Sequence, residues 1–195
     1  MAIEMTDAMK DLILKARMMD FSRWRPGHPP ESIALFQLAD DERRFLTEEE
    51  LDLIVGLAPK MTGLVPVVRV VRDRASEIVD EARSQVLEKY PGIVDPNGRL
   101  FPAERAEACW RDFWHFLRSV SYGLAGGQRE YTSQVGLHHL EVLYQQLGVP
   151  LDAMVTGLVN LKLASLRRVE DPVVAGRVGP YFDRLILHLE HFAED

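Results

Sequence analysis

The residues best suited to chemistry lie in one short stretch, Cys109-Trp110-Arg111-Asp112-Phe113-Trp114-His115-Phe116-Leu117-Arg118. It holds the only cysteine of the chain and two of its three tryptophans. Helical spacing runs from Pro102, acceptable in a first turn, to Leu124, and Gly126-Gly127 supplies a stop. On such a helix Cys109, Asp112, Phe113 and Phe116 share one face. A thiol there can tether a ligand, a carboxylate can accept N–H bonds, and two rings can pack a flat surface. A flat, conjugated, nitrogen-bearing molecule uses all of these groups. The plainer account is a buried helix whose cysteine acts as a small hydrophobe.

Other chemistries find less support. His138 and His139 are adjacent, so on a helix they point about 100° apart and cannot both face one metal. His115 lies on a different segment. One cysteine cannot build a zinc cluster, and no His-x-x-x-His occurs on a helix. Gly126-Gly127 lacks the pattern and strand context of a phosphate loop. No Ser-His-Asp or Cys-His spacing suggests a hydrolase, so an enzyme is not expected.

The elements that must position the stretch follow from periodicity. Residues 4–19 carry Met5, Met9, Leu12, Ala16 and Met19 at helical spacing, before Arg25-Pro26-Gly27-His28-Pro29-Pro30 breaks the pattern. This front section is either packed back on its own domain or a partner-binding arm with an adaptable Met stripe. A short helix is expected over 31–41. Thr47-Glu48-Glu49-Glu50 is a capping box that starts another at Glu48, with Phe45 or Leu46 as staple. Pro59 and Pro66 then kink or break the chain. A helix over 67–89 turns Val71, Ala75, Ile78, Val79, Ala82 and Val86 inward. After the central helix come 130–147, with Val135, Leu137, Leu140, Leu143 and Tyr144 inward, then 151–168 and 172–192. No period-two run is bounded by hairpin turns. The expectation is an all-α fold with an N-terminal extension over 1–30 and one helical domain over 31–195.

Composition agrees with one domain. The chain has 195 residues, 47% of them hydrophobic, which suffices for a core without staples. A lone cysteine excludes an internal disulfide framework and suits a reducing cytoplasm. No apolar run approaches the ~20 residues of a membrane span, and Glu4, Asp7 and Asp11 interrupt any signal-peptide pattern. A formal charge of −7 argues against a nucleic-acid surface.

The wider stretch resembles the phycobiliproteins, the globin-like carriers of linear tetrapyrroles (bilins) in light-harvesting antennae. The similarity rests on Cys109-Trp110-Arg111-Asp112, Phe116-Leu117-Arg118 and Tyr122-Gly123-Leu124-Ala125-Gly126-Gly127. Ala39-Asp40, Arg44-Phe45-Leu46, Glu50-Leu51, Lys89-Tyr90-Pro91 and Leu147-Gly148-Val149-Pro150 extend it over about residues 30–193. It implies a globin-like domain and a bilin such as phycocyanobilin, thioether-linked at Cys109. Asp112 would bind the inner pyrrole nitrogens, Arg111 a propionate, and Phe113, Phe116 and Tyr122 would line the site. Asp40 and Arg118 match a cross-subunit acid–base pair, which implies a homodimer or a heterodimer with a related globin, centred on Phe36, Leu38 and Phe45. Bilin-synthesis or bilin-lyase proteins are further expected partners.

The chain also departs from the resemblance. Trp110 and Trp114 are bulkier than the residues expected there, His115 replaces an aromatic, and two prolines interrupt the first globin helix. These departures favour a divergent bilin holder linked to bilin biosynthesis over a routine antenna subunit. A phycobilisome light-harvesting subunit, a haem-binding globin and a pigment-free interaction protein are the alternatives.

Overall fold

The computed structural model describes residues 6–192. Among the described residues the chain forms nine helices: α1 Asp7–Lys15, α2 Pro30–Asp41, α3 Glu48–Leu57, α4 Val65–Asp73, α5 Ala75–Lys89, α6 Ala103–Gly126, α7 Gln134–Leu147, α8 Leu151–Leu166 and α9 Pro172–His191. The all-α expectation is met; the only β pairing described is an isolated bridge between Met19 and Thr132.

The capping box forms as the sequence requires. The Thr47 hydroxyl accepts from the Glu50 amide at 3.2 Å, and the Glu50 carboxylate accepts from the Thr47 amide at 2.8 Å. Pro59 lies in the turn after α3, and Pro66 occupies the first turn of α4, where its missing N–H is not needed. The prolines therefore separate two helices instead of kinking one. The helix expected over 67–89 divides at Arg74, whose φ of −109° and ψ of 15° leave the helical region. The predicted inward residues are all buried. The break lets α4 and α5 each lay an apolar face on α6.

Helix α6 is the axis of the domain and packs against α4, α5, α8 and α9. Its C-terminal half is enclosed on every side: all residues from Phe116 to Gly126 are buried. Gly127, with φ of 60°, ends it in the left-handed conformation that glycine adopts without strain.

The front section differs from its expected outline. Helix α1 is short and buries only Met9; Met5 lies outside the described residues. The chain then runs extended beside 131–133, where the Asp20 amide donates to the Tyr131 carbonyl (2.9 Å) and the Ser133 amide to the Met18 carbonyl (2.8 Å). That pairing delays α7 to Gln134, capped by Ser133. It also leaves Val135, expected inward, 68% exposed. Close approach of the arm requires Gly136, because a Cβ there would lie 1.6 Å from the Arg17 carbonyl oxygen. Phe21 and Trp24 then enter the core: their rings meet at 4.9 Å, and Trp24 meets Phe36 at 4.8 Å. His28 is buried and satisfied by Ser32 (3.0 Å) and the Gly126 carbonyl (2.8 Å). Of the two accounts of the front section, the arm packed on its own domain is the one observed.

Candidate functional site

The N-terminal half of α6 carries the predicted chemistry. Cys109 is 3% exposed. Burial, then the nearby Asp112 charge, pushes its thiol up to about 12, and Arg105 opposes this weakly. Asp112 keeps part of its side chain in solvent. Enough protein surrounds its carboxyl that desolvation still dominates and raises the acid to about 6. A hydrogen bond from Tyr144 and the charge of Arg111 pull it the other way. Tyr144 of α7 donates to Asp112 Oδ2 at 2.7 Å. Its own hydroxyl is held well above the usual phenol range by burial and by the Asp112 carboxylate. Tyr144 is read from the sequence as core; nothing in the spacing marks it as the partner of a residue on another helix.

The rings of the face are packed tightly. Phe113 is fully buried and its edge fills the space over Gly157 of α8, where a Cβ would sit 1.9 Å from Cζ. Trp110 meets Phe113 at 5.5 Å and carries the Arg83 guanidinium over its ring at 5.4 Å. Phe116 is buried in the same core. Arg105, one turn before Cys109, donates to the Gly148 carbonyl. Arg111 is exposed.

Tyr122 does not join this group. It lies thirteen residues beyond Cys109, ~20 Å along the helix. There its hydroxyl donates to the Arg44 carbonyl and accepts from Arg118 at 2.9 Å. Arg118 pairs with Asp40 at 2.9 Å, and Arg17 of the arm reaches the same carboxylate at 2.6 Å and Asp41 at 2.7 Å. Asp40 and Arg118 are both buried. The pair expected to face another subunit is therefore closed within one chain and covered by Arg17. Of its expected apolar centre, Phe36 belongs to the core, and only Leu38 and Phe45 reach the surface.

The histidines of the haem alternative are no better placed. His138 is exposed beside Glu141, and His139 bonds the Val135 carbonyl of its own helix at 2.7 Å. His115 packs its ring on Trp114 at 5.1 Å, and Trp114 meets Phe45 at 5.0 Å. Among the described residues no group of acidic, histidine or cysteine side chains is arranged to hold a metal ion, and no helix is long and apolar enough to cross a membrane.

A family model described as "Phycobilisome protein" matches residues 34–189. This chain belongs to the phycobilisome protein family. The match begins inside α2 and ends inside α9, so it contains the whole of α6 and its neighbours. Curated relatives cover nearly all of their own length. The allophycocyanin alpha chain of Mastigocladus laminosus is 31% identical over 147 residues, 74% of this chain and 90% of the relative. That of Cyanophora paradoxa is 32% identical over 152 residues, 78% and 94% of the two chains. The allophycocyanin alpha-B chain of Pyropia yezoensis is 30% identical over 149 residues, 76% and 91%. The all-helical architecture agrees with the globin-like fold of the phycobiliproteins.

Proposed function

We propose that this chain holds a bilin on the N-terminal half of α6 and works as a non-enzymatic pigment carrier. The observation that carries the reading is the pairing of Cys109 with Asp112, a thiol and an enclosed carboxyl three residues apart with a hydrogen-bond donor already on the carboxyl. The donor set fits the ligand class. Cys109 offers the sulfur for a thioether, Asp112 an acceptor for pyrrole N–H groups, and Arg111 an exposed planar cation for a carboxylate. Phe113 and Phe116 supply apolar walls. A bound bilin supplies visible absorption. The chain's own residues set the conditions for loading. Tyr144 occupies Asp112 Oδ2, and Cys109 is protonated and covered, so side chains around Tyr144 and Trp110 must part before ligand reaches the sulfur.

A dedicated bilin holder linked to bilin biosynthesis, possessing reductase or lyase partners in the cytoplasm, is the first reading. What supports it over a routine antenna subunit is the Arg17 arm, which covers the Asp40–Arg118 pair. The second reading, a phycobilisome light-harvesting subunit, draws on the printed names of the relatives, all allophycocyanin chains. The test is co-production with haem oxygenase and a bilin reductase. Long-wavelength absorption, and zinc-induced fluorescence on a denaturing gel that Cys109→Ala abolishes, are expected. A Soret band points to haem, and a colourless protein refutes the proposal. Loaded protein that co-assembles with allophycocyanin subunits favours the antenna; loaded protein that instead associates with the reductase or a lyase favours the first reading.

A further inference from the structure

Two polar atoms on the N-terminal half of α6 are buried without a partner, Arg105 Nε, whose guanidinium already donates to Gly148, and one nitrogen of the His115 ring. His115 Nδ1 is buried and has no hydrogen-bond partner among the described residues. Native chains leave few such atoms, because an unpaired buried donor or acceptor is destabilising. The charges around this ring are mostly of one sign. Burial first, then Arg118, Arg43 and Arg111, hold its titration down to about 4, and Asp40 is the one carboxylate opposing them. Asp40 is already taken by Arg118 and Arg17. Arg43 and Arg111 are exposed and enter no ion pair among the described residues.

The backbone brings these groups together from two elements. Arg111 and His115 are one turn apart on α6. The loop after α2 is pinned along the same face by the Phe45–Trp114 contact at 5.0 Å and by the bond from the Tyr122 hydroxyl to the Arg44 carbonyl. Arg43 sits in that loop with φ of 54°, a conformation that non-glycine residues adopt at a cost. Asp112, whose carboxylate repels an anion, is engaged by Tyr144 on the α7 side.

We propose that Arg43, Arg111 and His115 form a binding site for a small oxyanion, with two guanidinium groups supplying charge and forked donors and the orphan imidazole nitrogen a third. This site stands whether or not the chain carries a bilin. An anion there offsets the cationic surroundings of His115, so the ring takes up a proton from solvent as the anion binds. Binding therefore tightens as the pH falls. The anion is either free in solution or a carboxylate borne by a bound pigment.

The test uses the pigment-free chain and sulfate, whose charge is constant from pH 4 to pH 8. NMR titration of the His115 ring should show its midpoint rising by ~1–3 pH units in sulfate relative to chloride at equal ionic strength. Arg43→Asn, which tolerates the left-handed backbone, and Arg111→Gln should each abolish the shift with Tm retained. In pigment-loaded protein, a lost sulfate response with a raised midpoint supports the site as a pocket for the pigment's carboxylate. A retained response supports it as a site for a free anion. A wild-type midpoint indifferent to sulfate overturns the proposal, as does a sulfate response that survives in both arginine variants.

Discussion

Replacing Asp112 by Asn removes one ionisable group while keeping its size and an acceptor for Tyr144, so the pH dependence of folding isolates that carboxyl. In the folded chain the acid titrates at about 6, against an ordinary value of 3.8. A carboxyl raised in this way binds more protons in the native state than in the unfolded one between those values. Its contribution is therefore most favourable below the unfolded pKa and declines as the pH rises through the folded one. The difference of about two units corresponds to at most ~3 kcal/mol, reduced because solvent reaches part of the side chain. Glu50 and Asp152 run the opposite way, since Arg44 and Arg99 hold them below the usual range. Both proteins contain them, so they cancel in a difference. Urea unfolding of wild type and Asp112→Asn at intervals from pH 4 to pH 7.5 gives that difference directly. The stability of wild type relative to the variant should fall by a few kcal/mol at most across this window, with its steepest change near pH ~5, between the unfolded and folded values, and should level off above about 6. Tyr144→Phe removes the hydrogen bond that lowers the acid, so the steep region should move to higher pH. A difference that is flat from pH 4 to pH 7.5 refutes the account of an enclosed Asp112.

Three further outcomes follow from the packing. Arg118→Glu leaves Asp40 facing a like charge in a buried site and should cost ~3–5 kcal/mol in thermal or urea unfolding. A stable variant that merely dissociates in light scattering would return the pair to an interface. Gly136→Ala places a Cβ 1.6 Å from the Arg17 carbonyl oxygen, so the arm should undock. Trypsin should then cut at Lys15 or Arg17 well before the wild type is cut, and equal cleavage rates would count against the docked arm. Cys109, with a thiol near 12, is ~10⁻⁴ thiolate at pH 8 and should resist a disulfide reagent in native protein while reacting at once in urea. Rapid native labelling would show that the site stands open.

The local rules carried far where the signal was local. The Thr47 capping box, the turn at Gly126-Gly127 and the burial of the inward residues of 67–89 all depend on neighbours within one or two turns and are found as expected, although the helix over 67–89 divides at Arg74. The misreadings concern partners distant in sequence. Nothing in 130–147 announces that Met18 and Asp20 bond its first residues and delay the helix to Gln134. Asp40 and Arg118 are seventy-eight residues apart. The sequence says that such a pair is complementary but not whether the complement lies in the same chain. Arg17 settles that, and a lone arginine between a short helix and a proline-rich turn carries no sign of its target. Tyr122 shares a helix with Cys109, and helical phase alone cannot tell a ligand wall from a strut ~20 Å farther along.

Helix α6 thus divides its work along its length. From Phe116 to Gly126 every residue is buried, and Arg118 and Tyr122 tie α2, its loop and the arm together. Before Phe116 the helix has one buried face and one that reaches solvent, with Arg111 exposed and Asp112 between the two. Among the described residues, the buried half leaves Arg118 Nε and Ser119 Oγ without partners, and the half beside the cysteine leaves a carboxyl pushed toward neutrality and an imidazole nitrogen without a partner. A fold under selection for stability alone replaces such groups with apolar ones of similar size at little cost. Beside the single cysteine, a ligand that satisfies Asp112 and His115 offsets both costs at once, and the Asp112 and His115 titrations test this at two independent atoms.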